Sequence, residues 1–281
     1  MLLVALFPIL WTAWESLHRH DLRLPWLGRP FVGSANYVEL LGDARMRQAL
    51  GHTLFFTAGS VTLELALGLA LALAMHRVVR GRTLVRAAVL VPWALPTVVS
   101  ALLWRFIFEG PAGLANRALV GLGLLRAPVV WLAADPGAWV PILAADVWKS
   151  TPFVALLLLA GLQTIEPGLY EAARIDGASA WQRFRWVTLP LLRPALLVAL
   201  VFRSLDALRV FDLIYVLTGG GPGTATEPIA LYTFDTLFQR LRFGYGSALS
   251  MVVFMLAFLL ALAYVRALGA APETRGPERA A

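Results

Sequence analysis

Residues Ile165 to Pro194 read I-E-P-G-L-Y-E-A-A-R-I-D-G-A-S-A-W-Q-R-F-R-W-V-T-L-P-L-L-R-P, a polar, charged island between two long apolar segments. Pro167 suits the first turn of a helix, where its missing N–H leaves no bond unmade. That helix runs through Leu169, Glu171, Ala173 and Asp176, and Gly177 supplies the left-handed residue that ends it. Ser179 and Gln182 have capping-box spacing and start a second helix, which Pro190 is expected to end. The pattern predicts a compact helix–turn–helix outside a bilayer, with a partner docked on it.

Composition agrees with a membrane setting. Of 281 residues, 59% are hydrophobic and only 15% charged, against about 25% charged in soluble domains. The mean hydropathy is +0.72. The net charge of +7 comes from arginines beside apolar segments, which fits the positive-inside rule better than nucleic-acid binding. With no cysteine, thiolate chemistry, disulfides and cysteine metal sites are excluded. The one lysine, Lys149, lies in no G-x-x-x-x-G-K-[ST] motif, so the chain by itself is no P-loop ATPase.

Outward from the island, the expected architecture is all-α, a six-span membrane domain over residues 1–268 with a disordered cytoplasmic tail over 269–281. The spans fall at about 2–17, 50–75, 84–108, 138–162, 195–217 and 245–265, with the helix–turn–helix loop over 165–194 between the fourth and fifth. The first is short for a span, which needs about 20 residues. His18 and His20 flank Arg19 in the following loop and read as interfacial histidines, since no carboxylate-and-histidine set accompanies them. In the second span, Ala66, Ala70 and Ala74 share one face, and Gly68 and Ala72 another. Glu64, near its middle, reads as a structural partner for an arginine elsewhere. Arg77, Arg80, Arg82 and Arg86 follow without an acid and mark a cytoplasmic loop, which puts both chain ends inside. Pro92 and Pro96 are expected to bend the third span.

The fourth span carries Asp146 and Lys149 three residues apart, able to meet on one helix face, with Ser150 and Pro152 after them. A water-filled path and a buried ion pair fit these polar groups equally. The fifth span carries Arg203, Asp206, Arg209 and Asp212, so it must be interior to the bundle. Arg203, Asp206 and Val210 share a face at 100° per residue. Thr218 to Gly223, T-G-G-G-P-G, reads as a flexible helix terminator.

E-A-A-R-I-D-G-A (Glu171–Ala178), continued by Phe184, Val187 and Leu189-Pro190, resembles the cytoplasmic coupling loop of ABC importer permeases. F-V-G-S-A-N-Y-V-E-L-L (Phe31–Leu41), L-R-V-F-D-L-I-Y-V-L-T-G-G-G-P (Leu208–Pro222) and F-G-Y-G-S-A-L-S (Phe243–Ser250) resemble the sugar-importer branch, most of all the first permease subunit of maltose- and trehalose-type systems. Ser34-Ala35 departs from it, standing where Asp or Leu-Asp is common.

The resemblance implies a non-enzymatic subunit that imports a di- or oligosaccharide. Its partners would be a second, homologous permease, an ATP-binding subunit dimer and an external solute-binding protein, all at the inner or plasma membrane, with no nucleic acid. It implies no cofactor on this chain, ATP and Mg residing on the ATPase. Glu171, Ala172, Ala173, Asp176 and Gly177 would meet that ATPase. By position, Asp146, Lys149, Ser150, Phe153, Arg203, Asp206, Ala207 and Val210 would line the sugar path; a second reading is that Arg203, Asp206 and Glu64 only lock the bundle together. Import of glycerol phosphate or another small solute is the rival reading, and a stand-alone secondary carrier a more distant one.

Overall fold

The computed structural model describes residues 2–78 and 81–269. Arg80 of the basic loop and the tail expected to be disordered, from residue 270 on, lie outside the described residues. The rest is helical, and the only β-pairing among the described residues is two isolated bridges, His18 with Phe31 and Asp21 with Arg242.

In chain order the helices are α1 (Leu2–Ser16), α2 (Ala35–Gly42), α3 (Ala44–Arg77), α4 (Arg82–Ala94), α5 (Thr97–Phe108), α6 (Leu114–Gly121) and α7 (Trp139–Gln163). There follow α8 (Pro167–Ile175), α9 (Ala180–Arg183), a π-turn at Phe184–Thr188, α10 (Leu189–Ala207), α11 (Asp212–Leu217), α12 (Ile229–Phe234), a second π-turn at Asp235–Gln239, and α13 (Phe243–Gly269). Four of these segments, counting residues 180–207 as one, are long and apolar enough to cross a membrane, and a bent α4–α5 pair makes five. The expected count was six. The difference is α1, whose 15 residues fall short of a bilayer's hydrocarbon thickness.

α3 and α7 form the centre. The buried stripe of α3 runs Ser60, Glu64, Gly68 and Ala72, one residue per turn, while Ala66, Ala70 and Ala74 are exposed. Gly68 permits the closest approach, because a Cβ there would lie 2.6 Å from Val154 Cγ1 of α7. Val154, Leu158 and Leu162 of α7 are buried beside Ala72 and Met75 of α3 and Leu192 and Ala199 of α10.

Asp43 starts α3 six residues before the expected boundary by accepting backbone N–H bonds from Arg45 (2.8 Å) and Met46 (3.2 Å). Its carboxylate also takes hydroxyl bonds from Tyr232 (2.5 Å) and Tyr245, tying α3 to α12 and α13. Burial pushes the Asp43 carboxyl up, but these hydroxyl and N–H donors outweigh it and hold the group below the usual carboxylate range. Beside it, Arg45 forks onto Glu227 with two 2.7 Å bonds.

Several expectations change. The bend in the third span sits at Leu95–Pro96, where α4 and α5 meet at 87°, while Pro92 lies inside α4. Pro190 does not end the second helix of the island. The π-turn before it, with Leu189 N–H bonded to the Phe184 carbonyl, widens the helix so that the proline ring has room and the chain continues into α10. The expected fifth span, 195–217, is instead helix only to Ala207 and again from Asp212. With the helix broken there, Val210 shares no helix face with Arg203 and Asp206. No glycine or proline marks this break, so hydropathy alone ran the span through it. Irregular backbone at such depth is tolerated where it lines a cavity.

His18 is buried rather than interfacial, with Nδ1 2.7 Å from the Trp14 carbonyl and its ring between Trp14 and Phe31. No group of three metal-ligating side chains occurs among the described residues.

Candidate functional site

Two helix breaks face one another across α7. Trp93, near the end of α4, and Thr97, at the start of α5, flank the Pro96 corner; Arg209, Val210 and Phe211 form the gap after α10. Between them lie two adjoining cavities of about 420 and 140 Å³. The larger is lined by Trp93, Lys149, Phe153, Phe202, Asp206 and Arg209, and the smaller by Phe56, Thr97, Asp146, Ala207 and Val210. Lys149, Ser150, Arg203, Asp206 and Arg209 are common to both. All eight residues named as a sugar path from sequence therefore border this space.

Its charged centre is Arg203, which is 4% exposed, facing Glu64 of α3, which is 0% exposed. The guanidinium donates through Nε and Nη2 (2.7 Å) to the two Glu64 oxygens, from Nη2 to Asp146 (3.1 Å) and from Nη1 to Asp206. One cation thus holds carboxylates on three helices. Such a cluster is stable in a dry interior only when nearly every donor is used.

Asp146 turns to Arg203 and not to Lys149. Among the described residues Lys149 has no carboxylate within ion-pair distance, although three-residue spacing suggested the pair. The stronger attraction is tertiary, since a buried guanidinium offers a charge-assisted bond in low dielectric.

Phe153 was expected on the path, but its aromatic neighbours Trp93 and Phe202 were not foreseen. Trp93 stacks on Phe153 at 5.8 Å and 15°, and Phe153 meets Phe202 edge-on at 6.4 Å. Phe202 is 59% exposed and Trp93 48%, so the wall presents faces to the cavity mouth. A tryptophan three residues before Pro96, ahead of a helix break, was the available signal. The side chain of Asp206 is 68% exposed despite its bond to Arg203, leaving acceptor capacity free toward the opening.

The island forms a second site. Pro167 opens α8, and at its end Gly177 has φ +75°. The N–H groups of Gly177 and Ala178 return to the carbonyls of Arg174 (3.1 Å) and Ala173 (2.9 Å), which is the Schellman closure. Ser179 and Gln182 exchange both capping-box bonds, at 3.3 and 2.7 Å, and Arg183 donates to the Ala178 carbonyl, sealing the turn. Tyr170 reaches Thr188 at 3.0 Å and binds α8 to the π-turn.

The result is a rigid knuckle in which Glu171, Ala172, Asp176 and Gly177 are exposed and Ala173 half-buried. Arg77, at the end of α3, lines an 850 Å³ cavity together with Tyr170, Glu171, Arg174 and Trp181. The basic loop and the knuckle therefore lie at the same end of the bundle.

Residues 65–270 match the family described as binding-protein-dependent transport system inner membrane component. The chain is 46% identical over 266 residues to the trehalose/maltose transport system permease protein MalF of Thermococcus litoralis, covering 95% of this chain and 88% of that protein. It is 43% identical to the trehalose transport system permease protein SugA of Mycobacterium tuberculosis, covering 96% and 85%. Among solved structures, a bacterial ABC transporter involved in the import of the acidic polysaccharide alginate superposes with a TM-score of 0.76, at 26% identity over 88% of both chains. Sequence, span pattern and superposition agree, and the chain belongs to the binding-protein-dependent transport system inner membrane components.

Proposed function

We propose that this chain is one of two membrane-spanning permease subunits of an ATP-driven, binding-protein-dependent importer of a neutral di- or oligosaccharide. The observation that carries the choice of a neutral substrate is the state of Arg203. Its charge is enclosed by Glu64, Asp146 and Asp206, so it is not offered to an incoming anion. The charged lining of the two cavities is balanced, Asp146, Asp206 and Asp212 against Lys149, Arg203 and Arg209, so it presents no net positive charge to an anion. What remains accessible, the Asp206 carboxylate, the Lys149 ammonium, the Arg209 guanidinium and the Trp93–Phe153 wall, is the chemistry of sugar recognition: acceptors and donors for hydroxyls beside flat apolar faces. The two relatives named for trehalose or maltose transport support the same class.

In this reading Glu171, Ala172, Ala173, Asp176 and Gly177 enter a cleft of the ATP-binding subunit, Glu171 pairing with a cation there. ATP and Mg stay on that partner. α1 acts as the sixth span, and the knuckle and both chain ends are cytoplasmic, because the arginine loop and the knuckle share one end of the bundle. A solute-binding protein delivers sugar at the other end, as fits a related alginate transporter solved with its periplasmic protein.

The test is uptake by the reconstituted complex. Labelled trehalose and maltose should accumulate with ATP and glycerol phosphate should not. Glycerol phosphate uptake in preference to both disaccharides would overturn the reading.

A further inference from the structure

Glu64 has no exposed surface and lines neither cavity of the path, yet its contacts reach that space in two steps. Its two oxygens take Nε and Nη2 of Arg203, a fork that fixes the plane of the guanidinium as well as its position. Nη2 is also committed to Asp146 at 3.1 Å, and the remaining nitrogen, Nη1, donates to Asp206 Oδ2. Asp206 borders both cavities with its side chain 68% exposed, and its Oδ1 has no hydrogen-bond partner among the described residues. One oxygen of this carboxylate is anchored and the other is free for a ligand.

The anchoring of Asp206 makes no tie between helices. Arg203 already joins α10 to α3 through Glu64 and to α7 through Asp146, whereas Asp206 lies on α10 itself, three residues further on. An exposed pair of that spacing contributes little to stability. What it does is hold in one rotamer a carboxylate that would otherwise turn among several. Trp93, Phe153 and Phe202 border the same larger cavity, so the free oxygen is an acceptor at a fixed place beside flat apolar faces. Sugars of one size differ in where their hydroxyls stand. A site built to bond one hydroxyl rejects the analogue lacking it, provided the acceptor is held still.

We propose that Glu64 is a positioning residue for sugar specificity: through the Arg203 guanidinium it holds the Asp206 carboxylate so that the free oxygen accepts a hydrogen bond from one particular hydroxyl of a sugar lying against the aromatic wall. This rests on the sugar-import reading and adds to it the group that sets the preference. Asp146 does not substitute for Glu64, because its single bond leaves the guanidinium free to swing about the contact. Only the two-pronged grip from the buried stripe of α3 fixes the direction in which Nη1 points.

The test uses the intact chain assembled with its partner subunits in vesicles. The solute-binding protein is loaded beforehand with trehalose or with one of its monodeoxy analogues, so that the preference read belongs to the permease. The unsubstituted complex should take up trehalose faster than one of the analogues by about tenfold, the scale of one hydrogen bond to a charged group. Asp206→Ala, at an exposed side chain, should abolish the preference at that hydroxyl and leave the others as they were. Glu64→Gln, which keeps one acceptor for Arg203 but loses the charged fork, should lower the same preference several-fold. Should Glu64→Gln fail to assemble, Arg203→Lys, which keeps a positive charge but has no plane to hold, should have the same effect. Uptake of every analogue at the trehalose rate by the unsubstituted complex, a preference unchanged by Asp206→Ala or by Glu64→Gln, or a loss at every hydroxyl alike would overturn the proposal and leave the import reading standing. A complex that accumulates neither trehalose nor maltose would overturn both.

Discussion

Glu64 and Arg203, 139 residues apart, meet as a two-pronged ion pair in the interior of the bundle, with no part of Glu64 exposed. The pair makes α3 and α10 mutually dependent. Removing one partner of a buried pair strands the other, which typically costs about 3–5 kcal/mol. Arg203→Ala should therefore lower the thermal stability of the purified complex severely, because three carboxylates lose their cation. Glu64→Leu combined with Arg203→Met should recover part of that loss, because Asp146 still loses its cation, and adding Asp146→Asn should recover more. Stability untouched by Arg203→Ala would show that the pair does not hold the bundle.

The α3–α7 contact rests on a missing side chain. A Cβ at position 68 lies 2.6 Å from Val154 Cγ1, so Gly68→Ala forces the helices apart. Overpacking of this kind costs about 1–3 kcal/mol. Val154→Ala in the same chain should relieve it. Thermal denaturation of the single and double variants checks the pairing, and failure of the second substitution to compensate would refute it.

For the knuckle, Glu171→Ala should leave membrane insertion normal, since the residue is exposed and α8 is closed by its own caps. Losing a hydrogen-bonded charge at an interface costs about 2 kcal/mol, roughly thirtyfold in affinity for the ATP-binding subunit. Co-purification and ATP-driven uptake measure this. Unaltered association and transport would remove Glu171 from the coupling surface.

Trp93→Ala removes the outer face of the aromatic wall without touching the Arg203 cluster. The stacking lost is worth about 0.5–1.5 kcal/mol. The half-saturating concentration for sugar uptake should rise by up to about tenfold, with assembly unchanged. No change would exclude Trp93 from the path.

Acid sensitivity should come from Asp43. Its carboxyl titrates below the usual range in the folded protein and near 4 when unfolded. Its stabilising contribution is thus complete above the unfolded value and lost as pH falls through the folded one. Asp43→Asn retains a capping oxygen but removes the charge, so the fall in melting temperature between about pH 5 and pH 2 should flatten. An unchanged acid limb would assign the sensitivity to other groups.

How much of this was legible depends on the range of the interaction. Within 165–183 the local rules suffice, since Pro167, the Gly177 closure and the Ser179–Gln182 box all act between residues at most five apart. Total apolarity likewise specified an all-helical membrane protein, because a bilayer leaves the backbone no partner but itself. The same reasoning misread Pro190, since a π-turn is an accommodation the sequence does not announce.

What the chain alone determined, then, is each helix that ends on its own caps or prolines, and the need for interior partners at Glu64, Asp146, Arg203 and Asp206. Which partner each one takes was decided only by the tertiary structure. Asp146 has Lys149 one turn away yet bonds Arg203, because the close crossing of α3 and α7 brings Glu64 and Asp146 to the same guanidinium. Ion pairing in a dry interior follows burial and approach of backbones, and neither is a property of a single helix.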